Sequence, residues 1–366
     1  MIDEFSILKL LFILLFTFAS MILLLVLVLL ILRIFNLRKD RKFNKFQVDW
    51  ENKLFSYLGS EISSDEFVIP LRQSEIPLLL KMLRGYLHEL KGSDFKKLTH
   101  IINSTEIYYY LEKNLKSNKT NKVLESVYFL GSARMNISLD TSRFNNIKTI
   151  IRTILNKTHS ETVFINSALS LARMNAFDAI DSILERYKKL KNISRDSLFN
   201  ILIEFDIDIC KNLHRKFNQP LSDELKLVCL SVFRHFKFTD AVKDASSLIL
   251  FSYNQPLIIE ALRYLSESEY TPASNVIKFL LLKSSPDIIS QAIKSSVKIS
   301  NPKIETMIYD KLINGPWQIK LDAAEALYSI SEESREKLKK LAYSPEISEV
   351  TSVSKMVISE NEVLGK

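Results

Sequence analysis

Six short segments recur at a constant interval of 31 residues: Ala168-Leu-Ser-Leu-Ala, Phe199-Asn-Ile-Leu-Ile, Leu230-Ser-Val-Phe-Arg, Ala261-Leu-Arg-Tyr-Leu, Ala292-Ile-Lys-Ser-Ser and Ala323-Ala-Glu-Ala-Leu. The opening column is Ala168, Phe199, Leu230, Ala261, Ala292 and Ala323. Three residues later stand Leu171, Leu202, Phe233, Tyr264, Ser295 and Ala326. Positions i and i+3 share one helical face, so both columns are expected to face a common core. A fixed interval of this size is the mark of a repeat architecture.

Each unit holds a second apolar-periodic stretch, as in 176–190, 241–251, 274–282 and 304–313. The boundaries carry start signals. Ser285-Pro286-Asp287 offers an N-cap, a proline in the first turn and an acid beside it; Gln255-Pro256 and Asn301-Pro302 are similar. Asn314-Gly315-Pro316 sets a helix stop directly before a helix start. Only 6 Gly and 9 Pro occur in 366 residues, too few for the frequent turns of an all-β chain. The expected unit is helix A, tight turn, helix B, about seven times from near residue 105. The fold class is therefore all-α, with helix pairs stacked as an α-solenoid.

The stretch Gly315-Pro-Trp-Gln-Ile-Lys-Leu-Asp322-Ala-Ala-Glu-Ala-Leu327 resembles the second helix of a HEAT repeat, with a proline near its start and an Asp before the core. Val127-Tyr-Phe-Leu-Gly-Ser-Ala-Arg134 resembles the same helix entering its exit turn. The period is shorter than the 40–47 residues usual for HEAT units, and the Asp322 column holds Glu260 and Gln291 in earlier units. Tetratricopeptide and ankyrin signatures are absent.

Ahead of the repeats, residues 10–32 are apolar except for Thr17 and Ser20. A helix of that length spans about 35 Å, enough for a ~30 Å hydrocarbon core. No basic region precedes it and no small-x-small site follows before Arg33, so an uncleaved anchor is expected rather than a signal peptide. Residues 1–9 carry Asp3, Glu4 and Lys9, a net of −1. Residues 33–45 carry Arg33, Arg38, Lys39, Arg41, Lys42 and Lys45 against Asp40, a net of +5. The positive-inside rule then puts the N-terminus outside and the remainder in the cytoplasm, at an inner membrane. Arg38, Lys39, Arg41, Lys42 and Lys45 are also placed to meet anionic lipid. Residues 46–104 read as a helical adaptor and N-terminal cap, and 105–366 as the repeat array. An anchor, adaptor and HEAT-like array together resemble membrane-anchored bacterial HEAT-repeat proteins. That resemblance implies company with envelope machinery, including glycosyltransferases that make exopolysaccharide.

The search for chemistry returns little. Cys210 and His214 share a helix face, with Cys229 and His235 one helix later, but the second pair is spaced about 240° apart on a helix. Buried cysteines and half-buried histidines are the expectation. Glu204, Asp206 and Asp208 form an acidic run at a helix boundary and read as solvated. His88-Glu89 lacks the second His of a zinc-protease helix, while His100 and His159 have no ligand cluster nearby. Of Tyr108, Tyr109 and Tyr110, at least one must face the core. Sequons at Asn103, Asn118, Asn136, Asn156 and Asn192 fall on the expected cytoplasmic side. No phosphate loop, dinucleotide fingerprint or nucleophile elbow occurs.

The expectation is a non-catalytic, membrane-tethered scaffold with no cofactor, no metal and no small-molecule substrate. Its partners would be other proteins, membrane-embedded ones among them. Exposed B-helix positions are the candidate contacts: Arg173, Glu204, Arg234, Arg263, Lys294 and Glu325. Their mixed signs suit a protein surface. The alternative is a nucleic-acid-binding, DNA-repair-type or lyase-like protein. It is disfavoured because residues 46–366 carry 43 basic against 39 acidic side chains, an ordinary mixed surface.

Overall fold

The computed structural model describes residues 4–133, 141–299, 302–345 and 348–363. Among the described residues lie twenty α-helices and two short 3-10 turns, with no strand. The chain is all-helical, and its contacts divide it into two units, Met1–Ile150 and Ile151–Lys366.

The first unit begins with α1 (Glu4–Leu58), one uninterrupted helix of 55 residues. The apolar run, the basic stretch 33–45 and the residues from Phe46 to Leu58 all lie on this one helix. No Gly or Pro occurs between residues 4 and 58, and the charged stretch is built from strong helix formers. α1 is long and apolar enough to cross a membrane, by length and composition, and side chains along it such as Leu23 and Leu27 are exposed. Its last turns behave differently: Phe46, Trp50, Leu54 and Tyr57 are buried at helical spacing. They meet α2 (Ser64–Val68) and α3 (Ile76–Glu89). Trp50 packs edge-on to Phe67 at 5.3 Å, and Tyr86 donates to Glu51 at 2.9 Å. Helices α4 (Gly92–Ile102), α5 (Thr105–Leu115) and α6 (Thr120–Ser132) follow, each packed on its predecessor in turn.

Helix α7 (Thr141–Lys157) runs across the division. The second unit then holds α8 (Glu161–Arg173), α9 (Ile180–Lys189), α10 (Arg195–Leu202), α11 (Ile209–Phe217), α12 (Asp223–His235), α13 (Val242–Phe251) and α14 (Gln255–Glu267). It continues with α15 (Ser274–Lys283), α16 (Pro286–Ser296), α17 (Pro302–Asn314), α18 (Trp317–Ile330), α19 (Glu332–Ala342) and α20 (Glu349–Val363). The even-numbered helices form a row, α8 to α20, each touching the next even-numbered helix; α13, α15 and α17 do the same on the odd side. The substantial helix contacts join elements no more than two apart in the chain.

The 31-residue columns face inward as expected, with one exception. Leu171, Leu202, Phe233, Tyr264, Ser295 and Ala326 are all buried, as are Ala168, Leu230, Ala261, Ala292 and Ala323. Phe199 is only half-buried, its ring edge-on to His235 at 6.0 Å. The tyrosine of the second column keeps its hydroxyl satisfied by donating to the Phe238 carbonyl. Ser296, four residues beyond Ala292, is also buried and donates to the Ile293 carbonyl.

Three even-numbered helices end alike. Asn175, Lys237 and Glu269 stand just past α8, α12 and α14 with φ of 50°, 52° and 51°. The amides that follow reach back to Leu171, Phe233 and Leu265 carbonyls at 2.9, 2.9 and 3.2 Å. This is the Schellman closure, made here without glycine. Gly315 has a different reason to be glycine: a Cβ there would lie 2.5 Å from the Lys311 carbonyl oxygen and 2.9 Å from Ile319.

Candidate interaction surface

Five of the six candidate contact side chains are held by residues of neighbouring helices. Arg173 donates to both oxygens of Glu204, at 3.1 and 3.2 Å. Arg234 reaches Glu260 and Glu267, each at 3.1 Å. Arg263 donates to Gln291 at 3.2 Å and sits 3.5 Å from Glu260. Lys294 lies 3.0 Å from Asp322. Glu325 joins that last cluster; burial raises its carboxyl above the usual value, and Asp322 adds to the rise while Lys294 opposes it.

A column explains the pattern. Glu260, Gln291 and Asp322 are 31 residues apart and receive the basic side chain of the preceding even-numbered helix. Ser231 and Ser290 donate to the first and last of them. Glu260 and Asp322 are buried, Asp322 to 2% exposure. A buried carboxylate must be paired, so these contacts belong to the joint between helices before they belong to any partner. Arg173, Glu204 and Arg234 are accordingly half-buried rather than exposed, while Arg263, Lys294 and Glu325 keep one side to solvent. Lys294 is exposed, and its ammonium also pairs with the buried Asp322.

The other constellations do not converge. Cys210 and Cys229 are buried, and burial pushes both thiols up to about 12. His214 pairs with Asp244 at 2.7 Å, and His235 packs edge-on to Phe199 and Phe236. Among the described residues no three His, Cys, Asp or Glu side chains are grouped to hold a metal. Glu204, Asp206 and Asp208 each have a separate partner, in Arg173, Asn175 and Lys211. Tyr108 is buried while Tyr109 is 69% exposed. Asn103 is buried, and Asn136 lies outside the described residues. In the first unit, Arg38, Arg41, Lys42 and Lys45 are exposed on α1; the Lys39 side chain lies outside what is described.

Two clefts open in the second unit. One of about 530 Å³ is lined by Phe217, Asp223, Lys226, Phe251, Tyr253 and Asn254. The other, about 580 Å³, is lined by Glu305, Tyr309, Leu327, Glu333 and Lys337. No known protein family matches the chain, and no curated protein matches it.

Proposed function

We propose that the chain is a non-catalytic scaffold, tethered by α1 to the inner face of a membrane, whose helix pairs stack as a HEAT-like solenoid and hold a partner protein of an envelope-associated complex. The observation that carries this reading is the row of even-numbered helices, each touching the next, with buried columns 31 residues apart. Contacts confined to neighbours are what a stacked-repeat protein requires, and such arrays present extended surfaces to partners. The charge flanks of the apolar run support a cytoplasmic body, and the exposed basic side chains of α1 suit an anionic leaflet.

The test is purification of the intact chain from membranes in mild detergent, with and without crosslinking. Recovery of a stoichiometric membrane protein supports the scaffold. Recovery of the chain alone, or of nucleic acid lost on raising salt, would overturn it.

A further inference from the structure

A cleft of about 420 Å³ opens in the first unit, where α2, the end of α4 and the start of α5 come together. Its volume lies in the range of small-molecule sites. Val68, which is buried, and Ile69, which is exposed, give it an apolar side. Asp65, Asn103, Ser104 and Glu106 give it a polar one. That polar side is incomplete. Asn103 is only 9% exposed, and its side-chain carbonyl oxygen has no hydrogen-bond partner. A buried carbonyl left unmet is costly, and native structures seldom keep one without cause. Ser104 is the N-cap of α5, the position whose hydroxyl ordinarily accepts from an amide of the first turn. Here it makes no such bond, and its oxygen is likewise buried without a partner. α5 therefore begins with first-turn amides that its N-cap side chain leaves open. Two orphaned side-chain oxygens and an uncapped helix start meet at one cleft.

Charge narrows the ligand. The open amides and the dipole of an 11-residue helix attract an anion. A bare anion, however, would meet the carboxylates of Asp65 and Glu106, both exposed at the rim. A bare cation would suit those carboxylates and the Asn103 carbonyl but would face the positive end of α5. A small molecule carrying an ammonium and a carboxylate a few bonds apart satisfies both requirements. We propose that the cleft binds a free α-amino acid. Its carboxylate accepts from the first-turn amides of α5 and the Ser104 hydroxyl. Its ammonium donates to the Asn103 carbonyl and faces Asp65 and Glu106, while its side chain lies over Val68 and Ile69. The site owes nothing to the tether or to the second unit, so it stands or falls apart from the scaffold reading.

The test follows thermal unfolding of the full chain in detergent with each standard amino acid in turn, beside methylamine, acetate and inorganic phosphate. At least one amino acid should raise the melting temperature saturably at millimolar concentration, and the three partial probes should not. Asn103→Leu replaces the orphaned amide with an apolar group of similar shape. It should melt no lower than the parent chain, because the unmet carbonyl is gone, and it should lose the amino-acid shift. Asp65→Asn, on the exposed rim, should weaken binding by about tenfold with little change in unliganded melting. No shift with any amino acid overturns the proposal. An equal shift with acetate, phosphate or methylamine does the same, as does a shift that survives Asn103→Leu. If Asn103→Leu does not fold, a shift unchanged in Asp65→Asn overturns it alone.

Discussion

The guanidinium of Arg173 grips the Glu204 carboxylate with two hydrogen bonds, at 3.1 and 3.2 Å, across 31 residues of chain. The separation of the pair equals the repeat, so the contact joins equivalent points on successive helices. Both side chains are half-buried, which limits screening. A double-mutant cycle of Arg173→Ala and Glu204→Ala, read by thermal unfolding, should return a coupling of about 1 kcal/mol. Strict additivity would reduce the pair to a surface decoration.

Lys294→Ala should be costly for a half-exposed residue. It strips the cation from a carboxylate that is 2% exposed, leaving Ser290 as a neutral donor. A loss of about 1–3 kcal/mol is expected. Adding Asp322→Asn should recover part of it, because the charge left unpaired is then gone. Denaturant titration of the single and double variants decides the point.

Ala292 is wholly buried between neighbouring helices. Ala292→Leu should overpack that site and cost ~1–3 kcal/mol. With contacts confined to near neighbours, hydrogen exchange should rise first in α14, α16 and α18 and leave α8 and α10 protected. Uniform loss of protection would contradict local packing.

Glu269→Gly should stabilise. At φ 51° a side chain resists the left-handed turn that glycine adopts freely, and relief of ~0.5–1 kcal/mol is expected. Gly315→Ala should move the other way, since its Cβ would press on the Lys311 carbonyl. A pair of melting curves tests both signs.

The Glu325 carboxyl is raised in the folded chain by burial and by Asp322. A raised acid binds its proton more tightly when folded, so its contribution to stability is greatest at low pH. It declines as pH climbs through the ordinary value of 4.5 and past the folded-state value. Glu325→Gln should therefore stabilise the chain near neutral pH and leave it little changed in acid. Equal effects at both ends would show that the charge is not the cause.

The apolar period and the helix-start signals were readable because burial imposes them residue by residue: Tyr264 and Ala292 could be placed inside from spacing alone. Partnerships were harder to read. Lys294 stands about 200° round the helix from Ala292, which argues for solvent, yet its long stem carries the charge back to Asp322. The Glu260, Gln291 and Asp322 column looked like a decayed signature because residue type varied while its role, accepting from the previous helix, did not. The closures at Lys237 and Glu269 escaped notice since neither residue announces a left-handed backbone. The change from apolar to charged at Arg33 leaves no mark on the backbone, which stays helical through it.

That straight run has a mechanical meaning. Over 55 residues α1 is about 80 Å of continuous helix, and its far end is clamped by Trp50 on Phe67 and by Tyr86 on Glu51. A flexible leash would let the first unit tumble freely beneath a bilayer. A clamped rod does not: on the proposed membrane reading, any tilt or axial turn forced on the apolar half by lipid thickness or a neighbouring helix becomes a displacement of α2 and α3. The anchor would then act as a lever as well as an address.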